Sequence, residues 1–97
     1  MSRGPEIARE RREIFYSGNV QGVGFRYTTM NVSSNFDVKG YVKNLSDGRV
    51  EVLAEGETEV IDRFLESLEV RMKGYIEGKE VKVSPELKEF TAFEVRA

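Results

Sequence analysis

The amino-acid sequence predicts an α+β sandwich in which two helices cover one face of an antiparallel sheet of four to five strands. Three observations point there. Two stretches carry apolar residues at helical spacing, β-rich runs around them give the order β-α-β-β-α-β, and an Asp-Gly signal joins the second strand directly to the third. With 97 residues, 39% of them hydrophobic, the chain fits one compact domain with a single core.

Composition removes several classes of function. The chain has no cysteine, so the core must hold the fold without disulfides, and thiolate metal sites and thiol nucleophiles are excluded. A net charge of −2 and a pI near 5.3 give no general basic field. Neither nucleic acid nor a membrane is therefore an expected partner, and any anion must be met locally. Met1 to Arg12 has no apolar core of signal-peptide length and no run elsewhere is long enough to span a bilayer; a cytoplasmic monomer is expected.

The first element is expected only after a tail. Residues 1–12 are dense in charge (Arg3, Glu6, Arg9, Glu10, Arg11, Arg12), with Met1 and Ile7 as the sizeable apolar groups, so a disordered N-terminal tail is predicted there and a folded domain over residues 13–97. Ile14-Phe15-Tyr16-Ser17 is strand-like and apolar on both faces, as an interior strand requires. After a glycine-rich turn, Phe25, Thr29, Val32 and Phe36 mark one face of a helix whose intrinsic propensity is poor, so packing must hold it. Asn35 to Asp37 supply its end.

Val38 to Asn44 and Arg49 to Glu55 alternate on either side of Leu45-Ser46-Asp47-Gly48, the signature of a hairpin. Val38, Gly40, Val42, Val50, Val52 and Ala54 share one face. Lys39, Lys43, Arg49, Glu51 and Glu55 point the other way, to a face expected to be partly wet. Gly56 is expected to break the strand, with Thr58 as cap of a second helix carrying Val60, Ile61, Phe64, Leu65, Leu68 and Met72 on one side and Gly74 at its end. Glu80 to Ser84 and Thr91 to Val95 read as two short strands, or as one strand with a long irregular approach. The whole order matches the split βαβ, or ferredoxin-like, arrangement.

Chemistry concentrates at one end of this arrangement. A helix of about eleven residues climbs roughly 16 Å and the returning strand descends about as far, which brings Arg26 and Asn44 to the same end, beside the Asp47-Gly48 turn. Gly22 and Gly24 permit positive φ and remove side chains, so the backbone N–H groups of Gln21 to Arg26 can converge on one anion at a helix N-terminus. Arg26 in the first helical turn opposes the helix dipole, a cost that a bound phosphate would reverse, and its planar fork suits two phosphate oxygens. A plain strand-to-helix turn with a solvated Arg26, and a purely structural Asn44 in a good turn sequence, are the alternatives on residues alone. The glycine spacing fits neither a Walker A loop nor a dinucleotide fingerprint.

Gly18-Asn-Val-Gln-Gly-Val-Gly-Phe-Arg26 and Gly40-Tyr-Val-Lys-Asn-Leu-Ser-Asp-Gly-Arg-Val-Glu51 resemble the two signature motifs of the acylphosphatases, at that family's spacing. The likeness extends from about Glu13 through the second helix and resumes at Phe93-Glu-Val-Arg. It implies a ferredoxin-like α/β sandwich that hydrolyses the carboxyl-phosphate bond of small acyl phosphates with no metal or other cofactor. By matching positions, it implies that Arg26 holds the phosphate with the loop N–H groups of Gln21, Gly22, Val23, Gly24 and Phe25, while Asn44 orients the attacking water. Two places depart from the family pattern. Lys73-Gly-Tyr-Ile-Glu-Gly-Lys79 replaces a Gly-Pro turn and an Ala-x-Val strand, so the resemblance implies no structure for residues 73–90, and Asp37 stands where glycine is common.

The missing side chains agree with that chemistry. The chain has no histidine and no cysteine, so the usual neutral-pH bases and nucleophiles are absent. An acyl phosphate tolerates this because its leaving carboxylate, of pKa about 4, departs without needing a proton. A non-catalytic phosphate- or acyl-phosphate-binding module of the same fold is the alternative. An RNA-binding sandwich is disfavoured because the third strand offers Arg49, Glu51, Leu53 and Glu55, not stacking aromatics, to the open face.

Overall fold

The computed structural model describes residues 8–97. Its elements are β1 (Arg9–Gly18), α1 (Phe25–Ser33), β2 (Lys39–Asn44), β3 (Val50–Glu57), α2 (Thr58–Arg71), β4 (Ile76–Ser84) and β5 (Phe93–Arg96). The strands form one sheet in the order β4-β1-β3-β2-β5. Both helices pack on the face carrying Ile14, Tyr16, Val42, Val50, Val52 and Ala54, and Phe25, Val32, Ile61, Phe64, Leu65, Leu68 and Met72 complete the core. Among the described residues no helix is long and apolar enough to cross a membrane.

Each helix is held by what its sequence buries. In α1 the poor formers are satisfied locally: the buried Thr29 hydroxyl donates to the Phe25 carbonyl at 2.8 Å and Ser33 donates to that of Met30 at 2.8 Å. These bonds satisfy the hydroxyls without unwinding the turn, and Phe25, Thr29, Val32 and Ser33 go inward. Helix α2 starts at the residue expected to cap it. Glu57 occupies the cap position, while the Thr58 hydroxyl instead donates to Glu10 at 3.0 Å. The Tyr16 hydroxyl donates to Glu69 at 2.7 Å, and Lys79 donates to the same carboxylate, tying α2 to β1 and β4.

Four expectations are corrected. First, β1 begins at Arg9, so residues 9–12 of the expected tail are strand, paired with Ala54 to Glu57 of β3; residues 1–7 lie outside the described residues. Charge misled there, because these arginines are matched: Arg9 donates to Glu86, Arg11 to Glu89, and Arg12 to Glu10 and Asp62. Second, Gly56 does not end β3 but pairs with Glu10 inside the ladder.

Third, β4 starts at Ile76 and fills much of the atypical segment as an edge strand along β1. Fourth, the sheet is mixed, because β5 runs parallel to β2 with Gly40 opposite Phe93. The cause is the path between them. Strand β4 ends beside Arg11, at the end of the sheet where β2 also begins, and residues 85–92 carry the chain across the open face to the opposite edge. On the way the Leu87 N–H donates to Glu55 at 2.8 Å and Phe90 packs against Tyr41 with ring centres 5.7 Å apart. Glu51, Leu53 and Glu55 are thereby buried on a face expected to be partly wet.

Candidate active site

The turn between β1 and α1 is built by alternating anchors and glycines. Val20 and Phe25 are buried, Val23 packs on the core's edge, and the Phe25 ring lies 5.3 Å from that of Tyr16. Between these anchors Gly22 and Gly24 are exposed with φ of 76° and 79°, the left-handed conformation that a side chain would resist. Gly24 is the N-cap of α1 and supplies no side-chain bond to the helix.

The outcome is a set of unused donors. The first helical bond runs from the Thr28 N–H to the Gly24 carbonyl at 2.9 Å. Among the described residues, no backbone N–H from Gln21 to Tyr27 is donated to a protein acceptor. Nor does the first turn contain an acidic residue to offset the helix dipole. Such an end meets an anion favourably through its oriented amides.

Arg26 extends from that same first turn. Every other described arginine has a partner: Arg9 with Glu86, Arg11 with Glu89, Arg12 with Glu10, Arg49 with Asp47, Arg63 with Glu59, Arg71 with Asn31 and Arg96 with Glu94. Among the described arginines Arg26 alone has neither a carboxylate within 4.0 Å nor a side-chain hydrogen bond. With the other described arginines paired, an unpaired guanidinium on the first turn, just after the unused amides, is available to a ligand.

Asn44 ends β2, opposite Val50 in the hairpin ladder. The turn after it is stiff. Leu45 donates its N–H to the Arg49 carbonyl at 2.8 Å and Gly48 to that of Leu45 at 3.2 Å. Asp47 accepts from the Arg49 N–H at 3.1 Å and from its Nε at 2.8 Å. These bonds, the backbone one first, hold the Asp47 carboxyl below its usual pKa, so it is ionised at neutral pH and has no proton to give. A shallow depression of about 550 Å³ opens along this turn, lined by Lys43, Asn44, Leu45, Ser46, Asp47 and Arg49.

Loop and hairpin meet through one side chain. The Gln21 carboxamide donates to the Leu45 carbonyl at 2.7 Å and to the Arg49 carbonyl at 2.9 Å. The glycine loop, the N-terminus of α1 and the end of β2 therefore share one end of the sheet, as the lengths of α1 and β2 imply. What residue-level reading misses is this role of Gln21, which it used for its N–H alone. A carboxamide inside a glycine loop is a faint signal, and its acceptors lie 24 and 28 residues away.

This fold and this end of the sheet define a class: small α+β domains that offer a backbone cradle at a strand-to-helix turn. Within it, the chain belongs to the acylphosphatase family, whose model matches residues 12–95. It is 48% identical over 84 residues to an acylphosphatase of Archaeoglobus fulgidus, a match covering 86% of this chain and 93% of that protein. The crystal structure of acylphosphatase from Bacillus subtilis superposes with a TM-score of 0.83 at 32% identity, covering 91% of this chain and 99% of that one. The chain also resembles part of full-length HypF, solved in a phosphate- and nucleotide-bound form. That match has 31% identity and a TM-score of 0.79 over 98% of this chain and 13% of HypF.

Proposed function

We propose that this chain is an acylphosphatase that acts as a monomer, without a metal, on small acyl phosphates, releasing a carboxylate and inorganic phosphate. The observation that carries the reading is the meeting of an unpaired arginine and unused amides with an asparagine-bearing hairpin at one end of the sheet. In this reading the N–H groups of Gln21, Gly22, Val23, Gly24 and Phe25, with the Arg26 guanidinium, take the non-bridging phosphoryl oxygens. Charge spreads onto those oxygens as the bond to the leaving group loosens, so donors held in place lower the barrier with little reorganisation. The Asn44 carboxamide aligns a water with the phosphorus, opposite the departing carboxylate. Its contribution is orientation, which can supply several kcal/mol when reacting atoms are held in line.

No group must protonate the leaving oxygen. The product is a carboxylate with a pKa of about 4, stable at neutral pH without a proton. A phosphate monoester of an alcohol lacks this advantage and needs an acid or a metal, and the chain has no histidine or cysteine to serve. Among the described residues no group of three His, Cys, Asp or Glu side chains is arranged to hold a metal ion.

The reading is tested with benzoyl phosphate as substrate. Turnover is expected, unchanged by EDTA, with p-nitrophenyl phosphate a far poorer substrate. Activity lost on chelation and regained with a divalent ion would reject the metal-free mechanism. Binding of inorganic phosphate with no turnover of benzoyl phosphate would make the chain a binding module instead.

A further inference from the structure

We infer that Gln21 is a positioning residue, whose side chain sets the alignment between the phosphate cradle and Asn44. The inference rests on the proposed acylphosphatase site and adds a role that the site's N–H donors and arginine do not provide. In-line attack needs two halves in register, one holding the phosphorus and one holding the water. The halves lie on separate pieces of chain: the cradle follows β1, whereas Asn44 closes β2. Among the described residues, the two bonds of the Gln21 carboxamide are the hydrogen bonds that join residues 19–24 to the 45–49 turn.

The geometry of those bonds fits alignment. One amide nitrogen bridges the Leu45 and Arg49 carbonyls, at 2.7 and 2.9 Å, across the mouth of the hairpin. The Leu45 carbonyl lies one residue beyond Asn44, so a shift of the bridge moves Asn44 with it. The turn is braced internally by Leu45, Asp47, Gly48 and Arg49 and closes the β2–β3 ladder, so it behaves as a rigid piece, and the bridge is the hydrogen-bonded link that sets the loop against it. The anchors Val20, Val23 and Phe25 hold the cradle in the core independently of Gln21. Losing the carboxamide should thus leave the cradle formed while uncoupling the water-holding half. A displacement near 1 Å is enough to cost on the order of a hundredfold in rate.

Two variants and one probe test this. Gln21→Met keeps the length of the side chain and its N–H in the cradle but removes the donor to both carbonyls. Its kcat for benzoyl phosphate is expected to fall on the order of tenfold or more, with KM and competitive inhibition by phosphate within about twofold of wild type. In the Asn44→Ala background the same change should cost almost nothing further, since the half it aligns is already inactive. Gln21→Glu sets a carboxylate against two carbonyl oxygens at neutral pH and regains one O–H donor when protonated, so its kcat relative to wild type should rise as pH falls through the carboxyl range. That ratio carries the test should the methionine variant not fold.

A normal kcat in Gln21→Met, a parallel fall in kcat and phosphate affinity, losses that add to those of Asn44→Ala, or a pH-independent Glu ratio would each overturn the inference. Titration with inorganic phosphate, followed by amide NMR, separates it from the proposed function because it needs no turnover. In wild type the cradle amides and those of Leu45 and Arg49 should shift together; in Gln21→Met the cradle should respond alone. A wild type that shifts in this coupled way but does not hydrolyse would reject the enzyme and keep the alignment. Uncoupled shifts in a wild type that does hydrolyse would do the reverse.

Discussion

Replacing Arg26 with alanine is expected to reduce benzoyl phosphate hydrolysis by roughly a hundredfold or more, a loss of about 3 kcal/mol of transition-state stabilisation. The size follows from where the side chain stands. Arg26 lies in the first turn of α1, directly after the exposed Gly22 and Gly24, and no described residue neutralises it. Its charge and two of its donors are then free for phosphoryl oxygens whose negative charge grows in the transition state. Because the substrate phosphate is already anionic when it binds, part of the loss should appear in KM and in weakened inhibition by phosphate. Arg26→Lys should recover some binding but little rate, since a point charge lacks the fork that meets two oxygens at once. Near-normal kcat/KM in Arg26→Ala, measured by loss of benzoyl phosphate absorbance, would remove Arg26 from the site.

Asn44→Ala is expected to act differently. It should lower kcat by on the order of a hundredfold or more while leaving KM and phosphate inhibition close to wild type, because water placement matters at the transition state and hardly in the ground state. The fold should survive, since Asn44 ends β2 and the turn's own bonds involve Leu45 to Arg49. Asn44→Asp tests the role more finely. A carboxylate can accept from the water but also repels the phosphoryl group, so it should be no better than alanine at neutral pH. A pure KM effect for Asn44→Ala would place the carboxamide on the substrate and not on the water.

The expected contrast between the variants separates the two halves of the proposed site. In the proposed site, the cradle with Arg26 accounts for phosphate binding and a water held by Asn44 for hydrolysis. Their register is the third requirement that we infer, supplied by the Gln21 bridge.

Local patterns carried most of the fold in this sequence. The i, i+3, i+4 spacing in α2 and the Asp47-Gly48 turn are short-range signals, and both helices and the β2–β3 hairpin stand where these signals put them. The helix and strand lengths also imply that the residues after Gly18 lie at the same end as Asn44, where the Gln21 bridge joins the loop to the hairpin. What escaped is long-range. Arg9, Arg11 and Arg12 look like a solvated tail until Glu86, Glu89 and Asp62 arrive from distant parts of the chain to match them. Glu51 and Glu55 read as a wet face, yet residues 85–92 cross above them by a path that no local pattern encodes. The parallel pairing of β5 follows from that same crossing. The bridge from Gln21 belongs with these, for it depends on how a loop and a hairpin pack.

The measurement that tests the central claim most directly is hydrolysis of benzoyl phosphate by the wild-type chain in water enriched in oxygen-18, with EDTA present and the products separated. A water aligned by Asn44 on a phosphoryl group held by Arg26 and the loop attacks phosphorus. The label should therefore appear in inorganic phosphate, with benzoate unlabelled. Label in benzoate would mean attack at the carbonyl carbon, and a rate no faster than the buffer would mean no catalysis; either result would contradict the account.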